Sequence, residues 1–235
     1  MVKKMVYNKR VDGRKMDEPR PMEAKAGIIK RADGSAMFKS GNTTALAAVY
    51  GPRSLYPRFK QDPKKGILRV NYNMLPFSGH GDRVRPGGNR RSKELSLVIE
   101  KALLPVLNLE DFPNSVIDIF IEFPETDAGT RCAGICAASM ALADAGIAMK
   151  DLVSSVAIGR VHNSVLVDLN YDEEAYEPPV ADMPVAMVHR TKEISLLQMD
   201  GEITEEQVRE GLELAKKACD KAYEVQVKAL KARYN

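Results

Sequence analysis

The chain has 235 residues, of which 44% are hydrophobic and 29% are charged, and its formal net charge at pH 7 is +3. These values are typical of a globular protein that is long enough for a sizeable core, and no stretch reaches the roughly 20 apolar residues of a membrane span. The basic N-terminus lacks the apolar run of a signal peptide, so we expect one domain over residues 1–235 that stays in the cytoplasm, with residues 1–12 as a flexible lead-in.

The first predicted elements form an antiparallel meander. Strands are predicted over residues 22–29, 35–39 and 43–50. The turn sequences Ala32-Asp33-Gly34 and Ser40-Gly41-Asn42 separate them, and glycine with asparagine or aspartate is typical of tight hairpin turns.

A basic segment follows the meander. Residues 52–101 contain twelve Lys or Arg residues against four acidic ones. Within this segment we predict a strand over residues 67–74, a glycine-rich basic loop over residues 77–89, and a helix that begins near Arg91 with Ser92 as its cap. Basic loops often become ordered on a nucleic acid or a phosphate ligand, although a charged run is more often a solvated face.

The most informative stretch joins a strand to a helix. Residues 116–123 alternate apolar and acidic side chains as a half-buried strand does, and residues 132–145 are almost all small or apolar, as in a buried helix. Between them Gly129 permits a tight bend and Thr130 can cap the helix, which leaves the amides of the first turn free for an anion. Arg131 opposes the helix dipole and is better tolerated beside a bound anion. A capped helix with an exposed arginine explains this stretch equally well.

The cysteines and histidines exclude several kinds of site. Cys132, Cys136 and Cys219 lie among apolar residues and are too few for a disulfide framework. Cys132 and Cys136 are one helical turn apart, but no nearby His or Cys completes a tetrahedral metal site. The three histidines lie in no nucleophile motif, so we expect neither a Ser-His-Asp nor a Cys-His mechanism.

The last third of the chain contains two hairpins and a long helix. The predicted strand pairs are residues 153–161 with 164–169 and residues 183–189 with 193–199. Thr204 and Gln207 form a capping box for a helix that runs to about Tyr234, within a C-terminal segment of residues 200–235. Residues 168–182 carry six acidic residues and no basic one, which fits either a metal site or a solvated loop. Strands precede helices twice, so the fold class is α+β with two similar halves.

Several separated motifs resemble those of the RNase PH family. They are Asp12-Gly13-Arg14, Asp33-Gly34-Ser35, Gly41-Asn42-Thr43, Val49-Tyr50-Gly51-Pro52, Arg90-Arg91 with Glu94-Leu95-Ser96, Asp127-Ala128-Gly129-Thr130-Arg131, Val167-Asp168-Leu169-Asn170 and Ala181-Asp182-Met183-Pro184. The match runs in the family's order from about Val11 to about Tyr223 and is most similar to the catalytic subunit of the archaeal exosome. It implies the RNase PH fold, a β-α-β-α arrangement like domain 2 of ribosomal protein S5.

The resemblance also implies the residues of the active site. Inorganic phosphate would be bound by Arg91, Gly129, Thr130 and Arg131. RNA would be bound by Arg69, Tyr72 and Arg90, with Tyr72 stacked on a base. Asp182 would be the catalytic carboxylate nearest the scissile bond, and the family usually carries a second aspartate six residues earlier. Tyr176 occupies that position here, so we assign the second carboxylate to Glu174, with Glu173 and Glu177 in reserve, and expect Asp182 and Glu174 to bind Mg²⁺ or Mn²⁺.

The function implied by the resemblance is phosphate-dependent 3′→5′ exoribonuclease activity. The enzyme would release nucleoside diphosphates from RNA 3′ ends and could run in reverse as an RNA-tailing polymerase. Its partners would be a non-catalytic paralogue, which forms a hexameric ring as a trimer of heterodimers, and RNA-binding cap proteins. Two alternatives remain: a homohexameric RNase PH that trims tRNA, and a non-catalytic ring subunit that only binds RNA.

Overall fold

A computed structural model describes residues 7, 9–80, 84–85, 87–177 and 179–234 of the chain. The N-terminal half contains β1 (Met22–Ala26), β2 (Gly34–Ser40), β3 (Thr43–Ser54), β4 (Ile67–Met74), α1 (Arg90–Leu103), β5 (Ser115–Glu125) and α2 (Thr130–Asp144). The C-terminal half contains β6 (Val153–Val161), β7 (Ser164–Val167), α3 (Tyr171–Glu174), β8 (Val180–Val188), β9 (Ile194–Leu197), β10 (Asp200–Gly201) and α4 (Glu205–Tyr234). The predicted strands and helices occur in the predicted order, and the α+β class is confirmed. Two short elements were not predicted: α3, and β10 at the start of the segment assigned to the C-terminal helix.

Each half forms one sheet. The first has the order β1-β2-β3-β5-β4, in which β4 and β5 are parallel and the other neighbours are antiparallel. The second has the order β10-β8-β6-β7, and β9 also pairs with β8. The predicted meander and both predicted hairpins are therefore present.

Helix α2 joins the two halves. It packs against β2 and β3 of the first sheet and against β6 of the second. Because it is surrounded, its apolar residues cover every side, as expected of a buried helix rather than an amphipathic one. Cys132 and Cys136 are buried there as free thiols, as predicted. One hydrophobic cluster spans both sheets and this helix, so α2 fixes one half relative to the other.

The predicted flexible lead-in is corrected at two residues. Tyr7 and Arg10 are buried, and both donate hydrogen bonds to Glu173. They are therefore anchored to the C-terminal half, a long-range contact that local sequence does not reveal. Residues 1–6 and 8 of the lead-in lie outside the described residues, and the prediction of a single domain over residues 1–235 stays a prediction.

Helix α4 confirms the predicted capping box. The Thr204 amide donates to the Gln207 side chain at 3.1 Å, and the Gln207 amide donates to the Thr204 hydroxyl at 3.4 Å. The helix packs along β6 and β1. It is not apolar enough to cross a membrane, and neither is any other helix of the described residues.

Candidate active site

A cavity of about 550 Å³ lies where the two halves meet. It is lined by the start of α1, the turn between β5 and α2, the end of α3, and strands β8 and β10. Six of the predicted site residues line it together: Arg91, Gly129, Thr130, Arg131, Glu174 and Asp182. The fold therefore brings the predicted phosphate-binding residues and both predicted carboxylates to one place.

The turn before α2 is rigidly built. Ala128 and Gly129 both adopt left-handed backbone conformations, with φ of 58° and 63°. The Thr43 hydroxyl donates to the Ala128 carbonyl at 2.7 Å and accepts from the Asp127 amide at 2.9 Å. These bonds hold the bend that points the start of α2 into the cavity.

The cap of α2 differs from the prediction. Gly129 is the N-cap and Thr130 is the first helical residue, so Thr130 does not cap the helix. No side chain caps this end within the described residues. The amides of the first turn consequently keep their capacity to bind an anion in the cavity.

The start of α1 also faces the cavity, but with a different cap from the predicted one. Asn89 is the N-cap: its side chain accepts from the Ser92 amide at 2.7 Å, and its own amide donates to the Ser92 hydroxyl at 2.9 Å. Ser92 is the reciprocal member of this capping box, which corrects the prediction. The box places Arg91 in the first turn, beside the cavity. Two helix starts, each with an arginine, therefore give this wall a positive potential.

The opposite wall is acidic. Asp182 lies on β8 directly across from Asp200 of β10, and Glu174 ends α3. Arg131 Nη1 lies 3.5 Å from Asp182 Oδ2, whereas Asp182 Oδ1 is buried with no hydrogen-bond partner among the described residues. No sequence pattern singles out Asp200, because two acidic residues 18 positions apart become neighbours only through the β8–β10 pairing.

Both carboxylates of this wall ionise less readily than usual. Burial, together with the nearby Asp182, raises the pKa of Glu174 to about 7, although Arg91 and Arg131 act in the opposite direction. Burial raises the pKa of Asp182 to about 6, with Arg131 lowering it and Asp200 raising it. Perturbed carboxylates in a cavity are typical of functional sites.

Glu173, Glu174 and Glu177 differ in what surrounds them. Arg10 binds Glu173 in a bidentate pair, with nitrogen–oxygen distances of 2.8 and 2.6 Å, and neither side chain is exposed. Glu177 is exposed and does not line the cavity. Only Glu174 reaches the cavity, so the choice of Glu174 over its two neighbours is the one that fits the geometry.

A second buried ion pair fixes the turn before α2. Arg20 donates from Nη2 to Asp168 Oδ1 at 2.6 Å and from Nη1 to the Asp127 carbonyl. Burial opposes ionisation of Asp168, but Arg20 outweighs it and lowers the pKa of this carboxyl. Asp168 is therefore a structural member of the acidic segment, and no local sequence signal pairs it with Arg20.

The three predicted RNA-binding residues do not line the cavity. Arg69 pairs with buried Asp118 on the outer face of the first sheet, and Arg90 is exposed at the start of α1. Tyr72 is 4% exposed and packs against Phe123, with 4.8 Å between ring centroids. Little of the Tyr72 ring is therefore accessible in this structure, and its role in stacking a base stays a prediction.

The residues present suit a hard divalent cation. Among the described residues no group of three or more His, Cys, Asp or Glu side chains is arranged to hold a metal ion. Mg²⁺ and Mn²⁺ need no such group, because they bind through one or two carboxylates together with phosphate oxygens of the substrate. The unpaired Asp182 Oδ1 and the nearby Glu174 are carboxylates that would fit this kind of binding.

Two family models match the chain. The models of the 3′ exoribonuclease family (RNase PH) match residues 18–148 as domain 1 and residues 151–218 as domain 2. The boundary falls between α2 and β6, where the two halves meet.

Curated relatives match over almost the full length. The exosome complex component Rrp41 of Methanopyrus kandleri is 50% identical over 225 residues, which cover 96% of this chain and 93% of the relative. The exosome complex component Rrp41 of Nitrosopumilus maritimus is 45% identical over 226 residues, which cover 96% of this chain and 91% of the relative.

Solved structures share the fold. Rice Rrp46 has a TM-score of 0.82 at 23% identity and covers 94% of this chain and 100% of its own. A chain of the Archaeoglobus fulgidus exosome with RNA bound to the active site has a TM-score of 0.78 at 24% identity, with 92% of both chains covered.

Proposed function

This chain belongs to the RNase PH family of 3′ exoribonucleases, and from that premise we propose that it is the phosphorolytic subunit of an exosome core ring. One observation carries the proposal: two helix starts with Arg91 and Arg131 face Asp182 and Glu174 across a single cavity. An anion site opposite a pair of carboxylates is what phosphate attack on a phosphodiester needs.

The reaction can be written with residues of this chain alone. Arg91, Arg131 and the first-turn amides of α2 bind inorganic phosphate and orient one oxygen towards the terminal phosphorus of the RNA. The new P–O bond forms as the bond from phosphorus to the 3′ oxygen of the preceding nucleotide breaks. The terminal nucleotide leaves as a nucleoside 5′-diphosphate, and the 3′ oxygen of the shortened RNA takes up a proton. No covalent protein intermediate is required.

The carboxylates act on the leaving oxygen. With a pKa of about 6, a fraction of Asp182 is protonated at neutral pH and can donate the proton that the 3′ oxygen needs. In their ionised forms Asp182 and Glu174 would instead hold Mg²⁺ or Mn²⁺, and such a cation supplies positive charge beside the developing oxyanion. The two roles predict opposite responses to pH. If protonated Asp182 donates the proton, turnover should fall above pH 6; if the ionised carboxylates hold a cation, turnover should rise between pH 6 and 8.

The partners follow from the relatives' names. Since the curated relatives are exosome components, we propose that this chain assembles with a non-catalytic paralogue into a hexameric ring of three heterodimers and that cap proteins deliver RNA to it. Arg69 and Arg90, which lie outside the cavity, would then contact the RNA backbone. The retained arginines and carboxylates argue against a subunit that only binds RNA.

Product analysis tests this proposal. The purified chain, alone and with its paralogue, is incubated with 5′-labelled and internally labelled RNA in the presence or absence of phosphate. Phosphate-dependent release of nucleoside diphosphates supports the proposal, and added nucleoside diphosphates should then extend the RNA in reverse. Release of nucleoside monophosphates without phosphate would show hydrolysis and refute it. Full activity of the chain alone on tRNA precursors would support the homohexameric RNase PH instead.

A further inference from the structure

An aromatic pair at the cavity has no part in the chemistry described above. The rings of His80 and Tyr171 stack with 5.1 Å between centroids and 25° between their planes. Both residues line the same cavity as Arg131 and Asp182. They are also exposed, and 44% of Tyr171 is accessible. A stacked and exposed aromatic pair beside a phosphate-binding wall is therefore available to a ligand.

Both members of the pair are anchored to the turn that precedes α2. The Tyr171 amide donates to Asp127 Oδ1 at 2.9 Å. On the other side, the Ser78 carbonyl accepts from the Thr126 amide at 2.8 Å and from the Thr126 hydroxyl at 3.0 Å, which fixes the segment that carries His80. The backbone of Tyr171 and the backbone two residues before His80 are thus bonded to adjacent residues of the turn that leads to Arg131.

We propose that His80 and Tyr171 form the surface on which a base at the 3′ end of the substrate RNA stacks. The proposal rests on the proposed function, because it takes the cavity to hold an RNA 3′ end. Stacking here would place the attached phosphate towards Arg131 and Asp182. Tyr72 is only 4% exposed and offers much less ring surface than Tyr171. Since every base has a π face, the surface would bind RNA 3′ ends without strong sequence preference.

Equilibrium binding tests the proposal without turnover. Binding of a short fluorescent RNA is measured in the absence of phosphate and in the presence of a chelator. Tyr171→Ala should weaken binding about 5- to 150-fold, the range for loss of one stacked base. Tyr171→Phe keeps the ring and should bind within about twofold of the unmodified chain, and Tyr234→Ala, which removes an exposed tyrosine at the end of α4, should change nothing.

An RNA with an abasic 3′-terminal nucleotide makes the test specific. If the terminal base stacks on the pair, Tyr171→Ala and removal of the base each eliminate the same contact. The two changes together should then reduce the free energy of RNA binding little more than either change alone. Equal losses by Tyr171→Ala on intact and abasic RNA would overturn the proposal. If Tyr171→Ala does not fold, the same comparison on intact and abasic RNA is made with His80→Ala. The cycle needs no catalysis, so failure to release nucleoside diphosphates contradicts the proposed function alone.

Discussion

Replacing Asp182 with asparagine should stabilise the protein at neutral and alkaline pH while it removes the activity. Asparagine has nearly the same shape as aspartate but carries no charge. Asp182 ionises in a mostly buried position beside Asp200, and one of its oxygens has no hydrogen-bond partner among the described residues. The folded state therefore carries a carboxylate that is less favourable there than in the unfolded chain.

The size of this effect follows from the pKa. Burial raises the pKa of Asp182 from 3.8 to about 6. A shift of this size corresponds to about 3 kcal/mol at a pH above both values. Since 24% of the side chain is exposed, solvent screens part of the effect, and we expect Asp182→Asn to gain roughly 1–3 kcal/mol at pH 8. Well below pH 3.8 the carboxyl is protonated in both states, so most of the gain should be lost by pH 4 and the remainder at lower pH.

Thermal unfolding from pH 4 to pH 8, in a buffer with a chelator and without phosphate, measures this difference. For a chain of this length each kcal/mol raises the Tm by roughly 2–4 °C. Asp17→Asn, which neutralises an exposed carboxylate outside the cavity, is the matched control and should stay within about 0.5 kcal/mol of the unmodified chain. A gain at pH 4 as large as the gain at pH 8, or no gain at pH 8, would contradict the raised pKa of Asp182.

Three further predictions concern two supports of the site and one proposed RNA contact outside it. Arg10→Ala removes the bidentate partner of buried Glu173 and leaves Arg14, at 3.9 Å, as its nearest cation among the described residues. It should lower the free energy of unfolding by roughly 3–5 kcal/mol, measured by urea titration, and a loss below about 1 kcal/mol would contradict the role of this pair. Gly129→Ala and Gly146→Ala both place alanine at a positive φ, of 63° and 71°, and each should lower the free energy of unfolding by about 1–2 kcal/mol. Only Gly129→Ala should also weaken phosphate binding, measured by calorimetry. Arg90→Ala should weaken RNA binding and reduce the slope of log K against log salt by about 0.7, and an unchanged slope would remove Arg90 from the interface.

The positions of the main strands and helices could be predicted from sequence because they depend on local patterns. Alternating residues in 116–123 and the small apolar residues in 132–145 placed β5 and α2 correctly, and the Thr204–Gln207 pair placed the start of α4. The glycine between β5 and α2 marked the turn for which we propose phosphate binding. These signals act within a few residues and need no knowledge of distant contacts.

Other features depend on contacts that the sequence does not show. Glu173 and Glu174 are adjacent and chemically identical, and what separates them is Arg10, 163 residues away, which binds one and leaves the other to the cavity. Tyr72 is buried because α1 packs on β4. His80 and Tyr171 meet because the turn before α2 anchors both. Tertiary packing therefore decides which of several similar side chains reach the site.

Substitution of Arg131 is the sharpest test of whether this cavity binds the attacking phosphate. Phosphate-dependent release of nucleoside diphosphates is compared between the unmodified chain and Arg131→Ala, each assembled with the paralogue. The matched control is Arg31→Ala, an exposed arginine outside the cavity. If Arg131 and the start of α2 bind the attacking phosphate, Arg131→Ala should lower kcat/KM for phosphate by about 10²-fold or more, with the ring intact and the control unaffected. Turnover by Arg131→Ala within a few fold of the unmodified chain would contradict the assignment of this cavity as the phosphorolytic site.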